Sequence, residues 1–89
     1  MEFEYDHNKS VSNLEKHGIS FDEAQKIWND NYRIEIPART SDEKRSLVIG
    51  NIEGIIWSAI ITIRENSIRI ISVRKARKNE KQIYYSPGI

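Results

Sequence analysis

The sequence predicts an α+β fold in which two short N-terminal helices pack on a small antiparallel β-sheet and a further helix closes the chain. Three patterns carry this reading. Apolar residues recur at helical spacing before residue 30, β-branched runs divided by turn signals fill residues 32–74, and a basic, helix-compatible run follows. Sixteen isoleucines among 89 residues strengthen the β reading of the middle segment.

Phe3 and Tyr5 flank Glu4 in an alternating scrap suited to an edge strand. Asp6 or Asn8 then caps a first helix running to about His17, and Gly18 ends it as a left-handed residue. Ser20-Phe21-Asp22-Glu23 reads as a capping box, with the Ser20 hydroxyl accepting from the Glu23 amide and the Glu23 carboxylate reaching back. Phe21, Ala24, Ile27 and Trp28 form one apolar face before Asn29-Asp30-Asn31 stops the second helix. Helices this short need a sheet to lean on. Strands are expected over 32–36, 45–50, 55–64 and 68–74, with a polar loop over 38–44 and hairpin turns at 51–54 and 65–67. Past Arg74 the run KARKNEKQIYY precedes Pro87 and Gly88.

Composition narrows the function. The chain is 38% hydrophobic and 30% charged, and it lacks a repeat or a linker, so one small soluble domain spanning 1–89 is expected. No run approaches the ~20 apolar residues of a membrane span, and MEFEYDHNK carries acids where a signal peptide carries bases, so a cytoplasmic location is expected. Without cysteine, and with His7 and His17 lacking any evident co-ligand, neither a metal site nor a cofactor is expected. The net charge of +1 hides a gradient: −4 over residues 1–32, 0 over 33–63 and +5 over 64–89. Such segregation suits a polyanion or an acidic protein partner.

If Gly50 pairs with Ile55 and Arg64 with Ile68, alternation sorts the sheet into two faces. Val48, Trp57, Ala59, Ile61, Ile63, Ile71 and Val73 form the face for the helices. Arg45, Arg64 and Arg74 share the other, among Ser58, Thr62, Ser72 and several aliphatic residues including Ile68 and Ile70. Arg69 falls on the helix side, where an acid of the N-terminal half is its expected partner. Guanidinium groups backed by hydroxyls make a bed for phosphate, because arginine grips phosphate with two parallel donors.

Two strings then carry a resemblance: Asn13-Leu14-Glu15-Lys16-His17-Gly18-Ile19-Ser20-Phe21, continuing to Glu23-Ala24, and Arg69-Ile70-Ile71-Ser72-Val73-Arg74-Lys75-Ala76, with Glu80 and Tyr84 downstream. With Phe3-Glu4-Tyr5-Asp6 and Ile49-Gly50 they cover nearly the whole chain, which resembles the BrnT-type toxins of type II toxin–antitoxin modules, a branch of the RelE-like ribonucleases. Tyr5, Val73 and Asn31 depart from the family's usual tryptophan, alanine and proline. The resemblance implies a RelE-like fold and a metal-independent endoribonuclease. It also implies silencing by a cognate BrnA-type antitoxin, through which alone the toxin would meet DNA.

Cleavage without metal uses the RNA 2′-hydroxyl as nucleophile, and it needs a base, a charge neutraliser for the phosphorane-like transition state and an acid. Arg64 and Arg74, with Arg45 on the third strand, suit the second task; the alternative for Arg64 is a solvated charge at a hairpin end and for Arg45 an exposed strand-start residue, while Arg74 opens the basic run. His17 and Lys16 are candidates for acid and base, with Glu65 a further one, although cations in the last turn of a helix also satisfy free carbonyls and the helix dipole. Lys75, Arg77, Lys78 and Lys81 read as RNA-positioning contacts or as a solvated helix face, with an Arg77–Glu80 pair possible at i,i+3. Tyr84 and Tyr85 suit either base stacking or packing of the last helix, while Trp28 and Trp57 read as core. The competing function is a non-catalytic nucleic-acid-binding or partner-docking module, which accounts for the charge gradient equally well.

Overall fold

The computed structural model describes residues 2–38 and 43–86. Residues 39–42 of the expected polar loop and the closing Pro87-Gly88 lie outside them. In order the elements are β1 (Glu2–Glu4), α1 (His7–His17), α2 (Phe21–Ala24) continued by a 3₁₀ turn (Gln25–Asn29), β2 (Ile34–Ala38), β3 (Arg45–Ile52), β4 (Ile55–Arg64), β5 (Ser67–Lys75) and α3 (Lys78–Tyr85). The sheet order is β1-β5-β4-β3-β2. The expected meander is present, but β1 joins β5 in parallel, so the sheet is mixed.

Local chemistry sets the helix ends. Asp6 caps α1 by accepting from the Lys9 amide at 3.1 Å, and Gly18, at φ 77°, closes it with an N–H donated to the Leu14 carbonyl. Ser20 caps α2 through the Glu23 amide at 3.1 Å, whereas the Glu23 carboxylate pairs with Lys26 at 2.9 Å rather than reaching back to complete a box. The second helix tightens after one turn into 3₁₀ geometry, and Asp30 rather than a strand follows it. Tyr32 therefore sits in a turn, and β2 begins at Ile34.

Both hairpins are tighter than expected. Ile52 pairs with Ile55 across Glu53-Gly54, whose φ angles of 49° and 92° fit a two-residue turn, and the two-residue shift from a Gly50–Ile55 pairing leaves the faces unchanged. Arg64 pairs with Ser67, one residue away from the assumed register, but a bulge restores it further along: Ile60 pairs with Ser72 while Ile61 pairs with Ile70. Ile71 is the extra residue. The bulge turns Ile68 and Ile70 into the helix-side core with Ile61, Ala59, Val48 and Val73, and it puts Arg69 opposite Thr62 on the other face. Arg69 still meets an acid, Glu4, at 3.8 Å. Ile63 reaches the sheet end and is 50% exposed.

The helix-side core combines those strand residues with Ile19, Phe21, Ala24 and Ile27; Trp57 is buried in it and Trp28 packs at its margin, edge-on to Phe3 at 4.9 Å. The last helix lies on the opposite face. Tyr84 and Ala76 pack there with Ile49, Ile56 and Leu47, so the sheet is sandwiched rather than covered from one side. Among the described residues no helix is long and apolar enough to cross a membrane.

Gly50 is where the 3₁₀ turn presses on β3. A Cβ there would lie 2.7 Å from Ile27 Cγ2 and 3.5 Å from Arg33 Cβ. Gly50→Ala should therefore destabilise the fold by about 1–3 kcal/mol, the usual range for overpacking. Thermal unfolding followed by circular dichroism should show the midpoint falling by about 4–8 °C per kcal/mol.

Candidate active site

The first string of the sequence folds as a clamp. Asn13 is buried on α1, where its amide donates to the Ile19 carbonyl at 2.8 Å and the Val73 carbonyl at 2.9 Å, and its oxygen accepts from the Val73 amide at 3.2 Å. The pairing of β1 with β5 covers only Ser67 to Arg69, so Asn13 takes the place of a neighbouring strand at Val73. Ser10, one turn earlier, accepts from the Phe21 amide at 2.9 Å and fixes the corner between α1 and α2. These bonds hold the last turn of α1 beside the C-terminal end of β5.

Lys16, His17, Arg74, Lys75 and Arg77 consequently line one concave surface of about 460 Å³. Lys16 and His17 come from the last turn of α1, Arg74 and Lys75 from β5, and Arg77 from the residue before α3. The Gly18 cap positions Lys16 and His17 at the helix terminus and at the cleft together. Four of the five are cationic side chains, and the fifth is an imidazole.

Arg74 is oriented by Glu80. Its Nη1 and Nη2 donate to the two carboxylate oxygens at 2.7 and 2.9 Å, and the same carboxylate accepts from the Ser58 hydroxyl at 2.9 Å and the Arg77 amide at 2.8 Å. Glu80 is 6% exposed, and the four bonds it accepts come from three places: two from β5, one from β4 and one from the start of α3. The Arg74 guanidinium, outweighing burial and helped by the Arg77 amide and Ser58, holds the Glu80 carboxyl down at about 2; in return Glu80 raises Arg74. Since Glu80 takes one proton from each terminal nitrogen, the Nε–H and the second Nη2 proton form another fork that Glu80 does not use. That fork matches two phosphate oxygens.

Arg45 and Arg64 lie elsewhere. Arg74 pairs across the sheet with Ser58, while Arg64 stands six residues along β4 from Ser58, roughly 20 Å away at strand spacing. Arg64 and Arg45 instead meet Glu43, at 3.8 and 3.3 Å. Arg45, Arg64 and Arg74 do share the face away from α1 and α2, but they do not converge, because face is set by alternation and position by distance along the strand. Glu65 sits in the β4–β5 turn at φ 53°, at the Arg64 end, and is likewise remote from the cleft. The Arg77–Glu80 side-chain pair is replaced by the backbone bond above, since Arg74 occupies the carboxylate. Lys78 and Lys81 are exposed on α3.

Glu80 is the residue whose importance the sequence left unread. Its signal was present as an acid in the first turn of a helix, three residues after Arg77. Because its carboxyl is held far below its ordinary 4.5, its contribution of up to about 3 kcal/mol is complete above that value and is lost as pH falls toward about 2. Acid unfolding of the wild type should steepen over that window, and in Glu80→Gln this component should be absent. Urea midpoints measured across pH 2–6 check it.

The chain matches the family model described as the ribonuclease toxin, BrnT, of type II toxin–antitoxin systems, over residues 5–80. A search of curated proteins finds no match. The matched span contains Asn13, Lys16, His17, Arg74, Lys75, Arg77 and Glu80, which are the clamp, the cleft and its carboxylate. The chain thus belongs to the BrnT family of type II ribonuclease toxins.

Proposed function

We propose that this protein is a metal-independent endoribonuclease toxin that cleaves RNA through the neighbouring 2′-hydroxyl, leaving a 2′,3′-cyclic phosphate and a 5′-hydroxyl. The observation that carries the reading is the meeting of the α1 terminus with Arg74 in one cationic cleft. A cleft with four cationic side chains attracts a phosphodiester and repels a divalent cation, which favours chemistry by side chains alone.

In this mechanism Arg74 grips the scissile phosphate with its second fork and neutralises the charge gained by the phosphorane. Glu80 keeps the guanidinium in place before substrate arrives, so little orientation is lost at the transition state. His17 and Lys16 exchange protons with the 2′-hydroxyl and the leaving 5′-oxygen, the imidazole being suited to either direction. Lys75 and Arg77 hold flanking phosphates, as do Lys78 and Lys81 along α3. Arg45 and Arg64, tied to Glu43 at the far end of the sheet, serve outer backbone contacts and leave the transition state to Arg74. The toxin works in the cytoplasm and is neutralised by a BrnA-type antitoxin, which also brings the complex to DNA.

Incubation of purified protein with RNA in EDTA tests the chemistry: new 5′-hydroxyl and cyclic-phosphate ends are expected. Salt-sensitive binding without scission would identify a binding module instead. Arg74→Ala should cut kcat by about 10²–10³, as loss of one transition-state contact does. Arg64→Ala should cost far less; equal losses would contradict the separation of the two ends.

A further inference from the structure

We propose that Tyr32, Tyr84 and Tyr85, with Arg33, form a stacking subsite for a nucleobase of the substrate RNA, a few nucleotides from the cleaved bond. This rests on the ribonuclease reading above and specifies where its substrate runs.

The route is laid out on α3. Lys78, Lys81 and Tyr85 are spaced i, i+3, i+7, so they share one face of the helix, and all three are exposed. The stripe begins next to Arg77 in the cationic cleft and ends on an aromatic ring eight residues later, about 12 Å along the axis. There Tyr85 and Tyr84 join Tyr32, Arg33, Asn31 and Ile34 around a groove of about 520 Å³. Among the described residues no carboxylate lines this groove; Asp30 and Glu53 line the adjoining one, which shares Tyr32 and Tyr84.

Two of the rings stand largely in solvent. Tyr32 is 80% exposed and Tyr85 65%. Yet the groove is held firmly from below. The Tyr84 hydroxyl donates to Asp30 Oδ2 at 2.6 Å, and Asp30 also accepts from the Asn51 and Tyr32 amides at 2.8 and 2.9 Å. One carboxylate therefore ties the end of α3, β3 and the Tyr32 turn to each other. Tyr84 in turn meets Tyr85 edge-on, with centroids 5.2 Å apart at 85°. Arg33 donates to the Asp30 and Trp28 carbonyls at 3.2 and 3.4 Å, which anchors a cation at the same groove. Exposed rings on an ordered base, reached by a basic stripe and flanked by arginine, are what an unstacked base needs: a π-face, a cation and a path for its backbone. The Asp30 anchor is spent internally and presents its charge to donors, not to the ligand.

The test uses the full chain and a fluorescent 2′-O-methyl oligoribonucleotide, which binds but has no 2′-hydroxyl to react. Its affinity is read by anisotropy for the wild type and for Tyr32→Ala/Tyr85→Ala, whose exposed positions should leave the melting temperature unchanged. A loss of about 5- to 150-fold is expected, with substantial recovery in Tyr32→Trp/Tyr85→Trp. An abasic residue walked along the strand should weaken wild-type binding at one position and leave the alanine variant's affinity unaffected there. Equal affinity of wild type and alanine variant overturns the proposal. So does unchanged RNA binding with weakened inhibition by the antitoxin, which would give the groove to the protein partner. Absence of cleavage of ordinary RNA by the wild type would remove the ribonuclease reading while leaving the stacking result to stand or fall on the binding data.

Discussion

The fold and the cleft both depend on one buried amide. Asn13 satisfies the amide and the carbonyl of Val73 and the carbonyl of Ile19 with a single side chain, so it fixes α1, the turn into α2 and the outer edge of β5 relative to one another. A buried backbone group left without a partner costs on the order of 1–3 kcal/mol, and here two of them sit on one strand residue. Four residues after Asn13 comes His17, and one residue after Val73 comes Arg74. The clamp therefore fixes the site's two halves at nearly their closest point in sequence to the bond itself.

The second constraint is electrostatic. A cleft with so many cations would be self-repelling, and Arg74 at its back would be free to swing toward solvent. Glu80 prevents this by taking the end of the guanidinium while Ser58 and the Arg77 amide complete its own bonding. The same carboxylate starts α3, so the helix that carries Lys78, Lys81, Tyr84 and Tyr85 is registered to Arg74 in the cleft. Asp30 repeats the device at the far end of that helix.

Much of this was legible from sequence because it is local. The caps at Asp6 and Ser20, the Gly18 stop, the β-branched strands and the two hairpins follow from spacing and turn chemistry. Lys16, His17 and Arg74 are each visible in the sequence as candidate groups, but the Asn13 bonds that bring their two strings together are not, since a side chain bonding 60 residues away leaves no local pattern. The bulge at Ile71 was hidden for a related reason: an inserted residue in an isoleucine-rich strand leaves the apolar pattern looking regular on both faces. Its effect was to place Arg69 on the α3 side and to bring Ile68 and Ile70 into the core. The supposed convergence of Arg64 with Arg74 failed because a shared face is not a shared position, and only the pairing of Arg74 with Ser58 reveals how far along β4 Arg64 lies.

The measurement that bears most directly on the central claim is NMR titration of the protein with an oligoribonucleotide carrying a single 2′-deoxy residue at the cleavage position. The account predicts that the His17 ring protons and the Arg74 Nε–H resonance move together, saturating at the same ligand concentration, while the Arg64 Nε–H moves little. Perturbation centred on Arg64 and Arg45, with His17 and Arg74 unmoved, would contradict it.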